Sequence, residues 1–168
     1  MIYKILFVFI FVFISFFSKS ESGYIENKHY ILIESEGGSE GVEEIFSYFC
    51  VHCYRFQPVL KKVQERLSDT LVIEKSYISH VSGKAADING YIARLRMLAK
   101  RNGQVDSFDY VVFDAIHSKK MNLSSEEDLN KVLVENGLSS LVSDPYLESD
   151  GIYLLFNNLK EKNLKRVG

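Results

Sequence analysis

Cysteine is scarce in this chain: among 168 residues there are two, Cys50 and Cys53. That scarcity excludes a disulfide-stapled mini-fold, because a pair two residues apart closes too small a loop to constrain the unfolded chain. It also argues against structural zinc. Such a site needs four ligands at suitable spacing, and beyond the pair and the histidine between them only His29, His80 and His117 remain, scattered along the chain. No metal and no cofactor is expected. Proline is equally sparse, at Pro58 and Pro145. A strong charge of either sign is missing too. The net charge is −2, and removing residues 1–20, which hold Lys4, Lys19 and no acid, leaves 18 basic and 22 acidic residues. That balance gives no footprint for nucleic acid. No internal repeat or low-complexity tract follows the N-terminus. The one long apolar run, Ile5 to Phe17, is 13 residues, short of the roughly 20 a membrane helix needs.

That run reads as an export signal instead. Lys4 supplies the positive n-region, Ile5 to Phe17 the apolar h-region, and Ser18-Lys19-Ser20 small residues at the −3 and −1 positions of a cut before Glu21. The alternative is an uncleaved anchor. Either way the remainder leaves the cytosol. With an apolar content of 46% over the whole chain, a core can be built and the remainder can form one ordered domain.

The richest segment is Glu44-Ile45-Phe46-Ser47-Tyr48-Phe49-Cys50-Val51-His52-Cys53-Tyr54. A β-like apolar run ends in C-x-x-C and feeds a helix-like run. That junction puts one sulfur at a helix N-terminus, where unpaired N–H groups and the helix dipole favour a thiolate. This is the geometry of a thiol–disulfide oxidoreductase. Cys50, the more N-terminal and more accessible, is the expected nucleophile. Cys53, one turn in, is the expected resolving thiol, since exchange needs one sulfur to attack and a second to release the mixed disulfide. His52 is placed on the first turn to donate a hydrogen bond to the Cys50 thiolate.

Either side of that segment, Tyr30 to Glu34 reads as a first strand, Gly37 to Gly41 as a turn and Val42 to Phe49 as a second, buried strand. Phe56, Val59, Leu60, Val63 and Leu67 give the following helix an apolar stripe. Pro58 removes a backbone donor and predicts a kink near Tyr54. Leu71 to Ser79 reads as a third strand. From Ala85 to Leu164 the pattern is helical. Stripes run through Ile92, Leu95, Leu98 and Ala99, then through Phe108, Val111, Val112, Ala115 and Ile116. The punctuation comes from Asn102-Gly103, a capping-box start at Ser124 to Glu127 and a stop at Asn136-Gly137. Pro145 opens a last helical region to about Lys162, with a break near Asp150-Gly151.

On these residues the chain resembles the DsbA family, thioredoxin-fold oxidases of the bacterial periplasm. The shared pattern is a carboxylate (Glu44), an aromatic-rich strand, C-x-H-C (Cys50 to Cys53) and a following aromatic (Tyr54). The resemblance implies an α/β thioredoxin-like fold with an inserted helical domain. Its parts would be a signal peptide over 1–20, the N-terminal thioredoxin-like portion over 21–82 and a helical insertion over 83–164. Residues 165–168 would begin the C-terminal thioredoxin portion, whose strands, helix and cis-proline loop are expected to be missing. Glu44 would then take a proton from Cys53 through water, with less help from Gln57, neutral where relatives carry a second acid. Val51 stands where the family has proline, so the family's redox potential does not carry over. The implied function is a monomeric periplasmic oxidase that donates disulfides to unfolded exported proteins. A membrane reoxidase linked to quinone would restore it. A reductase or isomerase, and a truncated non-catalytic chaperone-like relative, are the alternatives.

Overall fold

The structure, a computed structural model, describes residues 23–29, 31, 41–67, 71–78 and 86–167. The chain forms two compact units, Met1–Ser39 and Glu40–Gly168. In the first, the His29 amide bonds to the Ile25 carbonyl at 2.8 Å, and the Ile25 amide donates to His29 Nδ1, also at 2.8 Å. Of the strand expected over Tyr30 to Glu34 only Ile31 is described, exposed and outside any strand; the rest of it, the turn before Gly41 and the export signal lie outside the described residues.

The second unit begins with a β-α-β crossover. Strand β1 (Val42–Phe46) leads through a turn into α1 (Val51–Gln64), and β2 (Ile73–Tyr77) returns parallel to β1. The register pairs Val42 with Ile73 and Phe46 with Tyr77. Gln64 fastens the crossover. Its Nε2 donates to the Leu71 carbonyl at 3.1 Å, and its Oε1 accepts from the Ile73 amide at 2.8 Å. Helix α1 continues through Pro58.

Strand β1 is shorter and more open than expected from Val42 to Phe49. It ends at Phe46, because Ser47 to Phe49 turn to bring Cys50 to the helix start, with the Cys50 amide bonded to the Ser47 carbonyl at 3.1 Å. Of its five residues only Phe46 is buried. The α1 stripe is open as well: Phe56, Val59 and Val63 are exposed, and no α1 residue is fully buried.

The helical block supplies most of the core. It comprises α2 (Ala86–Arg101), α3 (Val105–Phe113), α4 (Glu126–Glu135), the short α5 (Ser139–Val142) and α6 (Asp150–Val167). A wide π turn, Asp114–Ser118, extends α3, and a 3₁₀ turn, Pro145–Glu148, precedes α6. Ile92, Leu95, Leu98, Phe108, Val112 and Leu133 are sealed from solvent, each worth about 1.5–3 kcal/mol of burial. Helices α2 and α4 end as the Asn-Gly pairs predict. Gly103 (φ 69°) and Gly137 (φ 79°) take the left-handed conformation. The next amides, of Gln104 and Leu138, bond back to Ala99 and Leu133 at 2.8 Å, the Schellman pattern. Ser125 caps α4 reciprocally with Asp128. Helix α6 runs to Val167, past the expected limit at residue 164, so residues 165–167 continue a helix.

Candidate active site

The turn Ser47–Phe49 delivers Cys50 to the N-cap of α1 with φ −89° and ψ 110°. This extended conformation aims its side chain at the open N–H groups of the first turn. Cys50 Sγ accepts from the Cys53 amide at 3.4 Å. The thiol is held below its ordinary range, first by the Cys53 side-chain hydrogen bond and then by the Cys53 backbone N–H; burial opposes them, and the His52 backbone N–H adds a smaller lowering. Cys53 moves the other way. Burial raises it most, with the Cys50 sulfur and the Glu44 carboxylate adding to the rise, while the Ser47 backbone N–H pulls it back. Both cysteines are free and half-exposed. The two sulfurs thus differ in acidity in the order exchange chemistry uses.

His52 is brought to the same place but not to the expected contact. It is exposed on the first turn, and its ring makes no hydrogen bond among the described residues. The Cys50 thiolate is served by the His52 backbone N–H instead. His52, Cys53, Glu44 and Phe56 line an open cleft beside the pair.

Strand alternation sorts the two acids of β1. Glu43 accepts from the Ser76 hydroxyl, while Glu44 faces α1, where its Oε1 accepts from Gln57 Nε2 at 2.9 Å. Its Oε2 is buried without a hydrogen-bond partner. Burial raises the Glu44 carboxyl, and Lys75 and Gln57 offset only part of the rise.

Gln57 is the hub the neutral side chain concealed. Its Nε2 also reaches the Cys53 carbonyl at 3.1 Å, and its Oε1 accepts from Lys75 Nζ at 2.7 Å. Lys75 bridges onward to Asp109 Oδ2 at 3.2 Å. Arg96 grips the same carboxylate through Nε at 2.9 Å and Nη2 at 3.1 Å, and the Tyr48 hydroxyl donates to it as well. Both cations also lie over the Phe46 ring. A polar chain therefore runs from Cys53 through Gln57 and Lys75 to a buried ion cluster. Sequence reading missed Lys75, Arg96 and Asp109. The available signal was a charge set inside each apolar pattern: Lys75 between Ile73 and Tyr77, Arg96 beside Leu95 and Asp109 beside Phe108. Among the described residues no group of three or more His, Cys, Asp or Glu could hold a metal, and no helix is long and apolar enough to cross a membrane.

No family model matches the chain. It is 27% identical over 126 residues to the thiol:disulfide interchange protein DsbA of Escherichia coli K12, over 73% of this chain and 59% of that protein. The chain thus spans about three fifths of the length of this curated relative. The oxidoreductase NmDsbA1 from Neisseria meningitidis superposes with a TM-score of 0.59 at 24% identity, over 80% of this chain and 68% of that one. DsbA from Proteus mirabilis, solved with a non-covalently bound peptide, matches with a TM-score of 0.59 at 17% identity, over 76% of this chain and 67% of that one. The fold is therefore α/β and thioredoxin-like with a helical insertion.

Proposed function

We propose that this chain, related to the DsbA family in sequence and in fold, is a protein-disulfide oxidoreductase working through Cys50 and Cys53. One observation carries the reading: the Cys50 sulfur caps α1 and takes the Cys53 amide at 3.4 Å. That bond strengthens when the sulfur is an anion. It therefore stabilises the reduced pair and makes the disulfide the better oxidant. The same acidity favours the oxidase direction over reductase or isomerase chemistry.

In the forward reaction a substrate thiolate attacks Cys50 Sγ of the Cys50–Cys53 disulfide. The Cys50–Cys53 bond breaks, and Cys53 leaves with the electron pair and takes a proton. Burial of Cys53 favours that protonated product. Glu44, whose carboxyl is raised by burial, is the proposed proton exchanger for Cys53. A second substrate thiolate then attacks the substrate sulfur of the mixed disulfide and expels Cys50 as a thiolate. The substrate loses two electrons and the pair gains them. A membrane reoxidase passing those electrons to quinone would close the cycle. His52, exposed at the mouth, is proposed to meet the substrate chain rather than hold the thiolate by its ring.

The substrates are proposed to be unfolded exported proteins and the site of action the periplasm. The export-type N-terminus and the peptide held by the Proteus mirabilis protein support both. The thioredoxin-like portion, 21–82, would carry the redox pair and the helical portion, 83–164, would support it from beneath. The working unit is proposed to be a monomer.

Thiol trapping tests the assignment. In the oxidised chain a mass-tagged alkylating reagent should add two tags only after mild reduction. Cys53→Ser should accumulate mixed disulfides with exported proteins, and Cys50→Ser should not. Two thiols that stay free under a mild oxidant, or trapping through Cys53 alone, would refute it.

A further inference from the structure

We propose that His117 is a positioning residue of the redox turn: from the π turn after α3 it holds the Tyr48 carbonyl, and so the backbone that presents Cys50 to α1. The inference rests on the reading of Cys50 as the exchanging sulfur.

Three contacts carry it. His117 Nε2 lies 2.7 Å from the Tyr48 carbonyl oxygen, across 69 residues of sequence. The imidazole stacks on Tyr54, the residue after Cys53, with ring centroids 4.9 Å apart and planes 16° from parallel. The Tyr54 hydroxyl in turn meets Ser118 Oγ at 2.8 Å. One segment thus grips both flanks of the C-x-x-C turn. Tyr48 is held at both ends, since Asp109 of α3 takes the phenol while His117 of the π turn takes the carbonyl.

The wide turn is what makes this possible. The Lys119 amide bonds to the Asp114 carbonyl, five residues back, at 2.9 Å. An α-helix would close that ring over four residues. Each residue advances a helix by about 100°, so taking one out would swing His117 off the redox turn. The anchored Tyr48 carbonyl lies two residues before Cys50, and the anchored Tyr54 directly follows Cys53. Fixing the Tyr48–Phe49 peptide limits where the next residues can go. Cys50 then keeps the extended φ and ψ from which its sulfur receives the Cys53 amide.

A carbonyl only accepts, so the His117 nitrogen facing Tyr48 must carry hydrogen. Nitrogen-15 NMR of the unmutated full chain above the histidine titration should show the Nε2–H tautomer at His117. An Nδ1–H tautomer would overturn the proposal without any mutation. His117→Phe keeps a ring for Tyr54 and removes the donor. Its Cys50 thiol ionisation constant, read from the ultraviolet thiolate absorbance titration, should fall by up to about fivefold, the scale of one net hydrogen bond. His117→Gln restores a donor without the ring and should recover most of that loss. A titration in His117→Phe that overlays the parent, or a His117→Gln no better than His117→Phe, would overturn the assignment. Failure of the underlying redox reading shows elsewhere, in an unmutated chain whose Cys50 is no more acidic than Cys53.

Discussion

A single oxygen atom poses the sharpest question at the scale of residues. Glu44 Oε2 is buried with no hydrogen-bond partner, and burial raises the carboxyl. A group whose folded pKa is raised favours the fold below its ordinary value, about 4.3 for glutamate. It loses that contribution as pH rises through the folded value. Glu44→Gln removes the ionisation and keeps an acceptor for Gln57. Its stability relative to the parent should therefore climb from about pH 4 towards neutrality and then level off. Urea melts across that range check it, and a constant difference would show that Glu44 titrates alike in both states. Asp109 makes the opposite case, since its carboxylate is fully engaged by Tyr48, Lys75 and Arg96. Asp109→Asn keeps the shape and removes the only anion touching both cations among the described residues. The expected cost is about 3–5 kcal/mol, the range for a buried pair that loses one partner. A loss under 1 kcal/mol, on the scale of an exposed pair, would mean water reaches the cluster.

Among the elements, α1 and α4 are stabilised by different means. Helix α4 carries its own stop signals and a buried stripe of Leu129, Val132 and Leu133. Its cap, Ser125 with Asp128, lies in solvent, so Ser125→Ala should cost about 1 kcal/mol and leave thiol chemistry unchanged. Chemical denaturation with a parallel alkylation assay reads both. Helix α1 has no fully buried residue. Gln57 and Gln64 tie it to β1 and β2 through side-chain hydrogen bonds. It therefore depends on those ties, on Tyr54 against His117 and Ser118 and on the turn before it, consistent with its place as the element that carries the reactive pair.

Across the whole molecule the two sides of the β-α-β crossover are unequal. One side packs Phe46, Tyr48 and Tyr77 against the helical block. The other leaves Ile45 at 40% and Phe56 at 48% exposure, an apolar surface that lines the cleft beside Cys53. The 168-residue chain is expected to bind an apolar-surface dye while folded. Phe56→Gln should lower that fluorescence without lowering the melting temperature, because the ring contributes little to the core. Dye binding that Phe56→Gln leaves unchanged would place the apolar surface elsewhere.

Much of this architecture was legible because it is local. A sole C-x-x-C at a strand-to-helix junction, apolar stripes at helical spacing, Asn-Gly stops and a Ser-Ser-Glu-Glu start each act within a few residues, and backbone hydrogen bonding at those points does not depend on distant partners. Strand β1 was read too long and too buried because an aromatic run looks alike whether it continues a strand or turns. Only the need to deliver Cys50 to the helix N-terminus ends the strand at Phe46. The polar site behind the pair was decided by packing alone. Lys75, Arg96, Asp109 and His117 come from one strand, two helices and a π turn. A charge inside an apolar stripe reads as an interruption until the fold sets its counter-charge beside it, and no spacing rule carries a contact across 69 residues.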